Sequence, residues 1–280
     1  MTVAFSPGHI TCFFCPVYSD DPLTTGSKGL GMKLSMGAEA SVDERTDGRV
    51  KISINGVESD AEITRTAANI LAPGTGFDIH IRTDLPVSQG FGMSAAGSIA
   101  AGSCICHMYG IDQNEAYKAA HIAEVIGRGG LGDVAGITET GPISVRVKEG
   151  LPPKGLVVST GRKTDITMAV VGGKTETKSI LNDQAAVRRV IEAGEKVCRS
   201  PFPSLPKDIL RASREFSSAA RLETPMVSAA LAKVPLSGMC MLGNSIFALC
   251  SKDNVVEALG PDAEIYECRT TDMMPVIRKA

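Results

Sequence analysis

Residues 86–102 read PVSQGFGMSAAGSIAAG, and the run continues through SCICHMY to Tyr109. From Ser94 onward it is rich in alanine and nearly free of charge. A helix with no polar face has no side for water, so the pattern predicts a helix over 94–109 buried on all sides. Gly110 is placed to end it. Just upstream, FDIHI at 77–81 alternates apolar and polar residues as a half-buried strand does. Gly90, Gly92 and Gly97, with Ser94 and Ser98, crowd the junction. Strand, glycine loop and helix start in succession suit phosphate. The first helical turn leaves N–H groups unpaired at the positive end of the dipole, and glycine lets that backbone approach an anion. Tight helix packing through small residues is the other reading of this stretch alone. No Gly-Lys-Ser/Thr closes the loop as a Walker A motif would, and GFGMSAAG lacks dinucleotide GxGxxG spacing.

The 280 residues suit one large domain or two small ones. A hydrophobic share of 43% supports a sizeable core, and with no Trp that core must come from Ala, Val, Ile, Leu and Met. A net charge of −2 without a basic run argues against nucleic acid or an anionic membrane as the main partner. No apolar run approaches the roughly 20 residues that span a bilayer, and MTVAFSPGHITCFF has no basic n-region. The eight cysteines sit in apolar contexts such as FALC and GMCML. We expect reduced thiols in a cytoplasmic protein. Cys12 and Cys15 have CxxC spacing, but no second pair answers it, so no metal or redox role is expected there.

Along the chain, Val3–Phe5 and Ile10–Phe14 read as strands around a turn at SPGH. GSKGLG (26–31) reads as a loop. Ala38–Val42 and Val50–Ile54 read as a hairpin around Thr46-Asp47-Gly48, and Asn55-Gly56 signals another hairpin. Asp112 and Glu115 form a capping-box pattern for a helix ending at Gly127. A boundary at EGLPPKG (149–155) divides the chain into domains 1–152 and 153–280. Beyond it, Gly155–Ser159, Met168–Val171, Ile246–Cys250 and Glu264–Arg269 read as strands. Residues 183–199, 205–220, Pro225–Lys233 and Asn254–Leu259 read as helices. The alternation predicts α+β architecture. No internal repeat or low-complexity tract is present.

Two acids stand out in HIAEVIGRGGLGDVAG (121–136). Glu124 occupies the last turn of its helix, the negative end of the dipole, where an acid in an apolar setting wants a cation. A solvated surface Glu is the plainer alternative. Asp133 follows a glycine-dense loop and is either a cap for the next turn or a carboxylate poised for proton transfer.

The stretch at 86–95 resembles the central motif of the GHMP kinase family, Pro-x-x-x-Gly-Leu-Gly-Ser-Ser-Ala. Pro86, Gly90, Gly92, Ser94 and Ala95 match; Phe91 stands for the Leu and Met93 for the first Ser. SPGHIT (6–11) is similar to the family's N-terminal Pro-Gly element. SGMCMLGNSIFAL (237–249) resembles its third, glycine-rich motif, with Gly238 and Gly243 kept and Cys240 and Asn244 in place of smaller residues.

The resemblance implies two domains, ribosomal-protein-S5-like then ferredoxin-like, with the site between them. It implies ATP phosphates on the loop of Pro86, Ser88, Gly90, Gly92, Met93, Ser94 and Ala95. Mg²⁺ would lie on Ser94 and Glu124, and Asp133 would act as base, aided by His9 or Lys28 with Arg128 behind. SPGHITCFF and GSKGLGMKLSMG look like the archaeal pantoate kinases, a branch of the family. That implies a small hydroxy acid bound by His9, Ser27, Lys28, Gly29 and Arg128 (or Arg65), with Gly238 nearby. A kinase for another small alcohol (homoserine, shikimate or mevalonate) and a catalytically silent sensor are the alternatives. The small residues of 94–106 suit either packing within the chain or a homodimer interface.

Overall fold

The computed structural model describes residues 1–174, 183–199 and 201–279. Two sheets organise it. The larger is built on a long pair, β1 (Thr2–Val17) and β2 (Gly26–Arg45), antiparallel along nearly their whole length. The length of β2 lets it serve two neighbours on its other side. Its second half pairs with β5 (Gly76–Thr83) and its first half with β6 (Ile143–Lys148). β3 (Val50–Ile54) lies parallel to β5, and β4 (Val57–Glu58) closes the edge. β7 (Leu156–Thr160) pairs with β6, and the C-terminal β12 (Val276–Lys279) returns to pair with β1. Both follow residue 152 yet hydrogen-bond into this sheet.

Three expectations are corrected here. SPGH is not a turn; β1 runs straight through it, and the register shifts between Pro7 and His9, where the partners step from Gly37 to Lys33 and the surplus residues lie on β2. GSKGLG is strand rather than loop, because it is sandwiched between β1 and β6. Residues 46–48 do turn, but β2 and β3 are not a hairpin, since β5 inserts between them. Asn55-Gly56 does make a hairpin, with both residues at positive φ (51° and 80°).

Helix α1 (Glu62–Leu71), unforeseen in the sequence, α2 (Met93–Tyr109) and α3 (Gln113–Ile126) pack together over this sheet. α2 is buried from Met93 to Cys106 except at Ser94. Its small residues are used within the chain: a methyl at Gly97 would sit 3.3 Å from Ile81, and one at Gly102 3.2 Å from Ala116. Gly110 caps it in the left-handed region. Asp112 caps α3 through the Asn114 N–H, while Glu115 pairs with Lys118 instead of completing the box. The short α4 (Asp133–Ile137) follows.

The second sheet holds β8 (Asp165–Val170), β9 (Ser237–Met239), β10 (Ser245–Ala248) and β11 (Glu264–Arg269), in the order β11-β8-β10-β9. Between β8 and β9 run α5 (Gln184–Val197), α6 (Pro206–Ala219) and α7 (Pro225–Lys233); α8 (Lys252–Leu259) joins β10 to β11. That antiparallel order and helix placement is ferredoxin-like. One continuous apolar core runs from the first sheet into the second. Among the described residues, no helix is long and apolar enough to cross a membrane.

Candidate active site

A cavity of about 400 Å³ opens where α2 begins, between the ends of α3 and α4 and the tip of the second sheet. Its wall includes Ser88, Gly90, Gly92, Met93 and Ser94 on one side and Glu124, Arg128, Gly132, Asp133 and Ser27 on the other. Gly90 and Gly92 have φ of 80° and 66°, conformations that side chains resist. No side chain caps α2 at Gly92, and a helix start of this kind can receive an anion on its first N–H groups. Phe91, in the family's Leu position, is buried, with its ring centroid 6.5 Å from that of Tyr266. Met93 has a packing reason: its methyl lies 2.4 Å from where a Cβ on Gly8 would be, filling space that this glycine leaves. Pro86 and Ala95 do not line the cavity.

The third motif backs this loop. A methyl on Gly243 would lie 2.1 Å from the Gln89 carbonyl carbon, and one on Gly90 2.7 Å from the Cys240 oxygen. The Gln89 side chain accepts from the Asn244 N–H at 3.2 Å and donates to the Gly172 carbonyl at 3.1 Å. Met241 and Leu242 reach the cavity. Gly238 does not; it packs beside Phe247 and Ser213 in the second sheet.

Glu124 is 1% exposed, so its position in the last turn of α3 faces inward rather than to water. It accepts the Gly130 N–H at 2.6 Å and a hydrogen bond from Ser94. Burial, reinforced by the nearby Asp133 charge, pushes its pKa up to about 7.

Asp133 is the first residue of α4. His9 Nδ1 lies 2.8 Å from its Oδ1, and the Thr11 hydroxyl donates to the same oxygen at 3.4 Å. Oδ2 points toward Gly130, where a methyl would come within 2.3 Å of it. His9 is fully buried, and that burial lowers its pKa despite the carboxylate. The neutral ring therefore donates from Nδ1 to Asp133, and its Nε2 accepts from the Ser144 hydroxyl at 3.1 Å. His9 orients the carboxylate without neutralising it.

The other expected cations fall elsewhere. Lys28 is 3.7 Å from Glu149 and does not line the cavity. Arg65 is tied to the carbonyls of Val50 and Asp60. Gly29 lies in the β1–β2 ladder, with no room for a side chain against Phe13 and Phe14. Arg128 does line the cavity, at a φ of 53°.

The cation that the sequence reading missed is Arg146. It is 1% exposed, and among the described residues Nε, Nη1 and Nη2 find no hydrogen-bond partner. It stands behind the cavity wall: a methyl on Gly132 would be 2.6 Å from both its Nε and the Ser27 hydroxyl. A buried guanidinium without a partner is costly, and a planar anion satisfies it best. ISVRVK (143–148) carries the signal, because strand alternation puts Arg146 on the face of Ser144, the partner of His9.

Residues 61–141 match the GHMP kinases N terminal domain. The chain is 32% identical over 269 residues to the pantoate kinase of Thermococcus kodakarensis, covering 91% of this chain and 89% of that one. It is 29% identical over 268 residues to that of Methanospirillum hungatei, covering 90% and 89%. A solved structure described as a phosphotransferase related to the CoA biosynthesis pathway superposes with a TM-score of 0.83 at 28% identity, covering 100% of this chain and 99% of that one.

Proposed function

The chain belongs to the GHMP kinase family, and we propose that it moves the terminal phosphate of ATP to the primary hydroxyl of pantoate, a step toward coenzyme A. One observation carries the reading. A single cavity brings together an uncapped helix N-terminus, a buried acid bonded to a serine, and a carboxylate held by a buried histidine.

ATP phosphates rest on the 88–95 loop and the first N–H groups of α2. The residues fit Mg²⁺: Ser94 and Glu124 offer hard oxygens, and a buried acid raised to about 7 beside a second carboxylate is relieved by a cation. When bound, the ion neutralises phosphate charge. Asp133 Oδ2 takes the proton of the acceptor hydroxyl as its oxygen bonds to the γ-phosphorus; the bond to the β-phosphate oxygen breaks and ADP leaves. His9 and Thr11 keep Oδ1 occupied, so Oδ2 is the oxygen presented. The acceptor carboxylate lies toward Ser27 and Arg146, whose three unpartnered nitrogens suit it. We read 1–152 as the unit that carries the nucleotide loop and 153–280 as the one whose strand pair backs it, with β7 and β12 of the second unit returning to pair in the first sheet.

A coupled ADP-release assay with ATP, Mg²⁺ and a panel of hydroxy acids and alcohols tests this. Selective release with pantoate is expected. Equal or greater release with homoserine, shikimate or mevalonate would replace the acceptor, and silence with retained ATP binding would favour a sensor.

A further inference from the structure

α4 has five residues, too few to hold a helical conformation unaided. Its N-terminal residue is Asp133, and its last carbonyls have no helical partner. Both ends are gripped by one pair of residues that face each other across the β1–β2 ladder, His9 and Lys33. His9 holds Asp133 at 2.8 Å and packs against the middle of the helix, where a methyl on Gly136 would meet its ring at 2.3 Å.

Lys33 takes the other end. It is a lysine with 0% exposure whose Nζ donates to the carbonyls of Ile137, at 3.3 Å, and Glu139, and reaches Met274 Sδ at 3.7 Å. Its own backbone is fixed as well, by bonds to Pro142 and Thr271 of 2.9 Å each. An ammonium at a helix C-terminus satisfies its carbonyls and opposes the negative end of the dipole. Burial pushes the Lys33 pKa down to about 8, against the pull of Glu139 and Asp272. Among the described residues its hydrogen-bond partners are carbonyls and a thioether, with no carboxylate, and burying an ammonium on such partners is costly.

We propose that Lys33 is a positioning residue for the reaction: with His9 it fixes both ends of α4 and so sets where Asp133 presents its free oxygen. This rests on the reading of Asp133 as proton acceptor.

The test combines steady-state kinetics with backbone hydrogen exchange of residues 133–138. In Lys33→Met, exchange there should speed by about tenfold or more, kcat should fall by about tenfold or more, and KM for ATP should stay within about twofold. Lys33→Arg should recover part of both losses. Unchanged exchange and kcat in a folded Lys33→Met would overturn the proposal. Faster exchange with unchanged kcat would also remove Lys33 from the reaction. Asp133→Asn, assayed alongside, tells which premise failed: if it keeps its turnover, the reading of Asp133 was at fault. If Lys33→Met does not fold, Lys33→Gln carries the same readouts, since it keeps a donor but is too short to reach both carbonyls.

Discussion

His9 and Asp133 lie 124 positions apart in the chain and meet in a 2.8 Å hydrogen bond at the cavity wall. The ring is buried and its pKa lowered, so the pair is a neutral donor on a carboxylate and not an ion pair. Asp133→Ala should lower kcat by about 10²–10⁴-fold while leaving nucleotide affinity nearly intact, as measured by turnover and ATP titration. His9→Ala should lower kcat less, because it misorients the Asp133 carboxylate without removing it. Wild-type turnover in Asp133→Ala would remove it as the base.

Arg146 predicts a conflict between stability and activity. Its buried guanidinium has no hydrogen-bond partner among the described residues, so Arg146→Met should leave Tm unchanged or raise it. The same change should raise KM for pantoate by roughly 10–150-fold, the worth of about 1.5–3 kcal/mol for a hydrogen bond to a charged group. Pantoamide, which lacks the carboxylate, separates the causes: the wild type should discriminate strongly between acid and amide, and the variant weakly. Equal discrimination by both proteins would place the carboxylate elsewhere.

Glu124 makes stability depend on pH. Its folded pKa, about 7, lies above its ordinary value of 4.5, so the native state holds an extra proton between the two. Stability from this group is full below about 4.5 and is lost as pH rises through 7, by about 3 kcal/mol at most. Without ligands, Tm should therefore fall as pH rises from about 4.5 to about 7 and level off above it, and Glu124→Gln should flatten that fall. Mg²⁺ with ATP should oppose it in the wild type, since a cation favours the ionised acid. A Tm profile in Glu124→Gln matching that of the wild type would contradict the assignment.

Gly243 has no space for a methyl against Gln89, which lies in the loop proposed to hold the phosphates. Gly243→Ala should displace that loop and raise KM for ATP by about tenfold or more, with the acceptor KM changed less. Similar changes in both constants would mean that the strain spreads through the fold instead of acting on the loop.

Much of this site was legible because its signals are local. Glycines at 90 and 92, Ser94 and the buried alanine run announce themselves within one segment, and the last turn of α3 makes an acid at 124 conspicuous. What sequence reasoning lost depends on partners far along the chain. GSKGLG looks like a loop until β1 and β6 flank it, and 46–48 look like a hairpin until β5 enters between the strands. Lys28 and Arg146 differ in the same way. Position 28 neighbours promising residues in sequence yet points to Glu149, whereas Arg146 sits in an ordinary strand and is carried behind Gly132 by its pairing with β2. Met93 reads as a lost hydroxyl until Gly8, in another strand, is seen to leave room for it.

The most direct test of the central claim is ³¹P NMR of the product formed from ATP, Mg²⁺ and pantoate by the wild type and by Asp133→Asn. We predict a phosphomonoester signal split into a triplet by the two protons of the primary carbon, formed by the wild type and nearly absent with the variant. A doublet from the secondary hydroxyl, ADP release without any ester, or equal ester formation by both proteins would contradict the account.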